Sequence, residues 1–182
     1  STDDEEIAAV ARENGAEVPF MREAALADDY TGTLEVTQDA WRRLAAQGFR
    51  ADFVACIYAT APLLTADYLR RAYARFVASG AAHLYGCCEF PFPIQRARYL
   101  DEHGRATPVQ PECMAMRSQD LPRTYQDAGQ FYFYTAACLE GDERGGIYGF
   151  ELRRPRVIDI DTPEDFNYAQ MLCQVVEQLG LP

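Results

Sequence analysis

Between Asp52 and Tyr58 the chain reads Asp-Phe-Val-Ala-Cys-Ile-Tyr, a strand-length run that is apolar on both faces. A strand of that kind belongs inside a sheet covered by helices on both sides. The segments around it supply the helices. Leu34–Gln47 repeats Val36, Ala40, Trp41 and Leu44 at helical spacing and stops at Gly48, and Ala66–Ala78 starts after Thr65 and stops at Gly80. Asp3–Asn14 is a further helix, closed by Gly15, and a short extended run follows at Glu17–Met21. His83–Cys88 is the next strand. This alternation predicts an α/β fold with a doubly wound, mostly parallel, Rossmann-like sheet. Ligands of such sheets bind beyond the carboxyl ends of the strands, so Tyr58–Pro62 and Glu89–Gln95 are expected at the rim of a site.

The second half changes character. Tyr99–Arg105 is a strand-turn-strand signal around Gly104, and Gln130–Tyr134, Ile147–Leu152 and Arg156–Asp161 are strand-like, before a last helix from Pro163 to about Leu179. Antiparallel excursions, over about 97–155, are therefore expected within one domain spanning 1–182. The 182 residues are the size of one compact unit, and no repeat or flexible linker divides them.

Charge narrows the partners. Seventeen basic residues, all arginine, oppose 28 acidic ones, for a net charge of -11. Such a field repels nucleic acid and anionic membrane surfaces. A small anion would have to be held by guanidinium forks, backbone N–H groups or a divalent cation. Mean hydropathy is -0.28, and no apolar run approaches the roughly 20 residues of a membrane helix. With no apolar leader evident, a cytoplasmic location is expected. The six cysteines contain no C-x-x-C pair and find no suitably spaced histidine, so reduced, mostly buried thiols are expected rather than zinc or disulfides.

Three segments could carry chemistry. In Arg156-Val-Ile-Asp-Ile-Asp-Thr-Pro-Glu-Asp-Phe166, strand alternation sends Ile158 and Ile160 one way and Asp159 and Asp161 the other. Same-side neighbours are about 7 Å apart at Cα, close enough for both carboxylates to serve one Mg²⁺ directly or through its water. The same residues also make a good helix start, in which the two aspartates merely solvate a strand end. Arg117–Tyr125, followed by Asp127-Ala-Gly-Gln130, offers groups suited to a carboxylated, hydroxyl-rich ligand, or is a polar loop before a strand. Arg22, then Asp28–Thr33 at a helix entrance, could meet an anion; equally, Thr33 is only an N-cap.

Taken in order, Ser1–Ile7, Arg22 with Asp28 and Asp29, Tyr58-Ala-Thr-Ala-Pro62, Phe90-Pro-Phe-Pro-Ile-Gln-Arg96, Arg117-Ser-Gln-Asp-Leu-Pro122, Asp127-Ala-Gly-Gln-Phe-Tyr132 and Ile158–Phe166 resemble the acylneuraminate cytidylyltransferase family over nearly the whole chain. The Ala-Thr-Ala-Pro, Pro-Phe-Pro-Ile-Gln-Arg and Asp-Ala-Gly-Gln-Phe-Tyr wording is most like its pseudaminic acid branch. Sialic acid enzymes typically carry Gln at the place of Tyr58 and Asn-Gly at that of Ala128-Gly129. The resemblance implies a nucleotide-diphospho-sugar transferase fold and transfer of CMP from CTP to a nine-carbon keto-sugar acid. It implies Mg²⁺ on Asp159 and Asp161, the nucleotide beside Arg22 and Thr33, and the sugar beside Tyr58, Gln95, Arg117, Gln119, Gly129 and Gln130. It also implies a homodimer, with Phe131–Tyr134 and Ile147–Phe150 as candidate contacts. Family members open with a strand and a Gly-, Lys- and Arg-rich phosphate loop, whereas this sequence starts just after that point. A preceding βα unit is therefore expected; the alternatives are another keto-sugar acid, such as N-acylneuraminate or the Kdo type, or a non-catalytic binding remnant.

Overall fold

The computed structural model describes residues 1–180. Most helices begin where the sequence supplies a side-chain cap. α1 (Glu5–Glu13) is opened by Asp4, whose Oδ1 accepts from the backbone N–H groups of Glu6 and Ile7 at 2.8 and 2.9 Å. α2 (Thr33–Ala46) has none, because Gly32 precedes it and Thr33 is its first residue rather than its cap. α3 (Ala66–Ser79) runs from the Thr65 cap to Gly80, which takes the left-handed conformation at φ 66°.

The main sheet contains β1 (Phe53–Ile57), β2 (His83–Glu89), β5 (Tyr125–Thr135) and β6 (Ile147–Glu151) in the order β1-β5-β2-β6. β2 and β6 pair parallel, while β5 runs antiparallel to both β1 and β2. Three strands thus point one way, and the long aromatic strand lies against them between β1 and β2. β3 (Arg98–Leu100) and β4 (Ala106–Pro108) form a separate ribbon, with Gly104 at φ 78° in its turn as the sequence predicts.

Helices cover both faces. On one, Tyr68, Ala72 and Phe76 of α3 pack on Leu84, Phe131 and Phe133, with Phe76 stacked on Phe133 at 5.8 Å. On the other, Trp41 of α2 packs on Tyr132 and Tyr134, together with Leu139 of the short α4 (Ala136–Leu139). The arrangement is α/β and doubly wound. Among the described residues no helix is long and apolar enough to cross a membrane. All six cysteines are free thiols, two buried and four half-buried.

Three expectations change. The apolar run 53–57 lies at one end of the sheet rather than in its middle, with β5 as its only partner among the described residues. Phe131–Tyr134 is not a surplus surface; these side chains are the subunit's own core, because β5 is sandwiched between the two helix layers. Glu17–Met21 and Arg156–Asp161 join no ladder. The second of these is extended chain, yet Ile158 is buried and Asp159 exposed, so the in–out alternation survives without a neighbouring strand.

α5 (Pro163–Gln178) holds that segment from the far side, through Ile158, Leu63 and Ala169. It begins with a capping box: Asp165 N donates to Thr162 Oγ1 at 3.2 Å, while Thr162 N donates to Asp165 Oδ2 at 2.9 Å. Thr162→Ala should cost about 1 kcal/mol, lowering the melting temperature by about 3 °C. Thermal unfolding followed by circular dichroism reads it.

Candidate active site

β5 contains the irregularity that builds the site. Tyr85 is paired with Tyr132 and Cys87 with Asp127, so residues 128–131 stand opposite Gly86 alone. The excess is accommodated by Gly129 at φ 60°, a left-handed backbone that other residues adopt only with strain. Asp127 fixes the turn, its Oδ1 accepting from Gly129 N at 2.8 Å. Tyr132 in turn donates to the Asp127 carboxylate, 3.1 Å from either oxygen.

Across from this turn lies Asp159. A Cβ added to Gly129 would stand 3.6–3.8 Å from the Asp159 carboxylate, so the bare glycine brings the backbone up to that group. Partial desolvation of Asp159, which remains exposed, raises its pKa, and the negative charges of Asp161, Asp165 and Asp127 raise it further. Asp165 is held low by its hydrogen bonds from Thr162. The mouth of the site is therefore a field of carboxylates, an environment that favours a bound cation. Among the described residues no three His, Cys, Asp or Glu side chains are grouped to hold a metal ion. Asp159 and Asp161 would give an ion two carboxylates at most, leaving the rest to water or ligand oxygens. Mg²⁺ accepts such a set, since it retains waters and shares phosphate oxygens.

A cavity of about 830 Å³ opens between α2 and the outer edge of β1, and Arg22, Thr33, Trp41 and Tyr58 all line it. Arg22 is anchored at the chain start, its Nη2 donating to the Ser1 carbonyl at 2.7 Å and its backbone N–H to the Thr2 carbonyl at 2.8 Å. The hydroxyls of Thr33 and Tyr58 are in contact. Tyr58 also packs on Tyr132, their ring centroids 5.5 Å apart. A polar chain thus runs from the start of α2 through Tyr58 and Tyr132 to Asp127 and Gly129.

The remaining residues singled out in the sequence are dispersed. Gln119 lines a smaller cavity of about 260 Å³, beside Phe90, Phe92 and Pro93. The Arg117 guanidinium folds onto Asp120 with hydrogen bonds of 2.7 and 3.0 Å. Gln95 is buried and donates from Nε2 to the Pro122 carbonyl at 3.0 Å. Gln130 is wholly buried and donates from Nε2 to the Arg156 carbonyl at 2.7 Å. The side chains of these two glutamines point into protein, so each shapes its surroundings from behind.

Sequence reasoning gave no individual role to Asp127 or Arg156, and it placed Tyr132 only among candidate dimer contacts. Asp127 was legible, because an aspartate two residues before a glycine is a turn signal. Tyr132 looked like one more aromatic in an apolar strand. Arg156 carried no signal of burial at all.

Known proteins resemble this chain throughout its length. It matches the cytidylyltransferase family over residues 1–179. It is 43% identical over 178 residues to the pseudaminic acid cytidylyltransferase of Campylobacter jejuni subsp. jejuni serotype O:2, a match covering 96% of this chain and 77% of that protein. The N-acylneuraminate cytidylyltransferase of Oncorhynchus mykiss is 27% identical, over 93% of this chain and 39% of its own. The solved structure of a CMP:2-keto-3-deoxy-manno-octonic acid synthetase complexed with CTP has the same fold, with a TM-score of 0.62 at 12% identity, over 94% of this chain and 78% of that one.

Proposed function

The chain belongs to the cytidylyltransferase family, and from that premise we propose that it joins CTP to pseudaminic acid, giving CMP-pseudaminic acid and pyrophosphate. The observation that carries this reading is the 43% identity to a pseudaminic acid enzyme across almost the whole chain. It is a nucleotidyltransferase, and the reaction is a single displacement. The anomeric hydroxyl oxygen of the sugar acid bonds to the α-phosphorus of CTP, the bond from that phosphorus to the bridging oxygen breaks, pyrophosphate leaves, and the hydroxyl proton passes to solvent.

The residues divide the work by position. Asp159 and Asp161 are the Mg²⁺ carboxylates. Bound there, the ion would neutralise triphosphate charge and lower the pKa of the attacking hydroxyl. Arg22 and Thr33, in the larger cavity, take the nucleotide. Tyr58 touches Thr33 and packs on Tyr132, so it stands at the junction of nucleotide and sugar. Gly129 offers backbone at close range, and Gln119 borders the smaller cavity. Arg117 meets the sugar carboxylate by leaving Asp120, exchanging one bidentate carboxylate for another. Phosphoryl transfer asks chiefly for placement and charge neutralisation, which these groups supply.

Two further features belong to this reading. β1, which ends the sheet, lines the cavity assigned to the nucleotide. A homodimer is supported by exposed apolar side chains, Tyr99 and Leu100 on the β3–β4 ribbon and Ile147 on β6. Sedimentation of the full-length protein would read a mass of two subunits. A cytoplasmic location follows from the use of CTP.

The test is a pyrophosphate-release assay of the full-length protein with CTP and Mg²⁺. Pseudaminic acid should be turned over faster than N-acetylneuraminic acid or Kdo. Preference for either of the others would reassign the substrate, and no release with any acid would overturn the reading.

A further inference from the structure

The segment bearing Asp159 and Asp161 lies beside the sheet without ladder hydrogen bonds, so something else must hold it. Besides the packing of Ile158 against α5, two buried side-chain hydrogen bonds do. Gln130 Nε2 donates to the Arg156 carbonyl at 2.7 Å, and Arg156 Nη1 donates to the Leu63 carbonyl at 2.9 Å. The Gln130 carbonyl meanwhile accepts from Tyr58 N at 2.9 Å. The circuit closes through the short connection from Tyr58 to Leu63. Gln130 is 0% exposed and Arg156 8%, and the Arg156 guanidinium also lies over the Tyr68 ring at 5.7 Å.

We propose that Gln130 and Arg156 are positioning residues: together they hold the Asp159 carboxylate against Gly129 and tie it to Tyr58. Neither meets substrate. One arm of the circuit carries the acidic segment, the other the tyrosine at the nucleotide–sugar junction, so displacement of one drags the other. Gln130 Oε1 is buried without a hydrogen-bond partner among the described residues. The inference rests on Asp159 and Asp161 as the Mg²⁺ carboxylates, but the placement itself is testable without the reaction.

Gln130→Met keeps the length and removes the donor. In the full-length, metal-free protein, amide hydrogen exchange at Arg156 and Val157, whose N–H groups donate to the Arg153 and Arg154 carbonyls at 2.9 and 3.1 Å, should accelerate about tenfold, as loss of one buried hydrogen bond allows, while β6 keeps its rates. In the assay, the Mg²⁺ concentration for half-maximal release should rise about tenfold, as removal of support behind metal ligands does, with a smaller loss of kcat at saturating Mg²⁺. Gln130→Glu covers the case in which the methionine variant fails to fold. It can donate only when protonated, so its exchange at Arg156 and Val157 should return toward the unmutated rate at the same pH as the pH is lowered. Unchanged exchange in these variants overturns the proposal. So does a rise in the sugar KM with an unaltered Mg²⁺ requirement, which would make Gln130 a sugar contact. An unmutated protein that releases no pyrophosphate counts against the assigned reaction only, because the exchange result still decides the anchor.

Discussion

Asp159→Asn is expected to lower the turnover of CTP by about a thousandfold while making the folded protein more stable at neutral pH. On the proposed reading, the first effect follows from removing one of the two carboxylates assigned to the cation. Metal charge stabilisation is worth several kcal/mol in such a transition state, and each 1.36 kcal/mol is about a factor of ten in rate. The second follows from the raised pKa of Asp159. A carboxyl whose pKa is higher in the folded than in the unfolded state binds its proton more tightly when folded. Its stabilising contribution is present below the ordinary aspartate value and is lost as the pH rises through the folded value. At neutral pH the ionised group is a liability beside Asp161, Asp165 and Asp127, and asparagine removes it. Paired measurements of pyrophosphate release and of denaturant unfolding at pH 7 and below pH 4 check both halves. A variant that is slow and also less stable at pH 7 would contradict the electrostatic account.

Gly145→Ala is the second large effect, and it concerns folding alone. Gly145 sits at φ 106°, and a Cβ there would overlap the Gly80 carbonyl oxygen and lie 2.9 Å from Ala82 N. Both obstacles are backbone, in the turn that joins α3 to β2. Neither can rotate away as a side chain would. Left-handed strain of about 1–2 kcal/mol adds to an overpacking cost of about 1–3 kcal/mol. The melting temperature should fall by about 10 °C. Gly146→Ala is the control: its φ of 71° is also positive, but a Cβ there meets nothing within 4 Å. It should lose only the strain part.

The helices were the most legible part of this fold. Thr65 with Gly80, and Thr162 with Asp165, mark their own ends through local hydrogen bonds, so spacing and caps suffice to place them. Strand existence was equally plain, but strand neighbours were not. Nothing local to Phe53–Ile57 says that its partner is Phe131–Thr135, because pairing is decided by long-range packing. The aromatic run at 131–134 illustrates the point: apolar excess in a sequence does not distinguish a core strand from an interface. At the site, the alternation of Ile158 and Ile160 with Asp159 and Asp161 was readable because both isoleucines need burial. It persists even though the predicted ladder is absent. The fate of Gln95 and Gln130 was not readable, since a glutamine in an exposed loop and one donating to a buried carbonyl look alike in one dimension. Arg156 misleads in the same way, because charged residues are seldom fully buried unless well paired.

The reversed strand has a consequence for how the protein is made. On the ribosome, Phe53 is synthesised long before Thr135, its partner in the sheet. At about 5–20 residues per second, that interval is on the order of ten seconds. During it the edges of β1 and β2 that will face β5 are unpaired with it. The sheet can therefore close only once the aromatic strand has been made and enters between the two waiting edges.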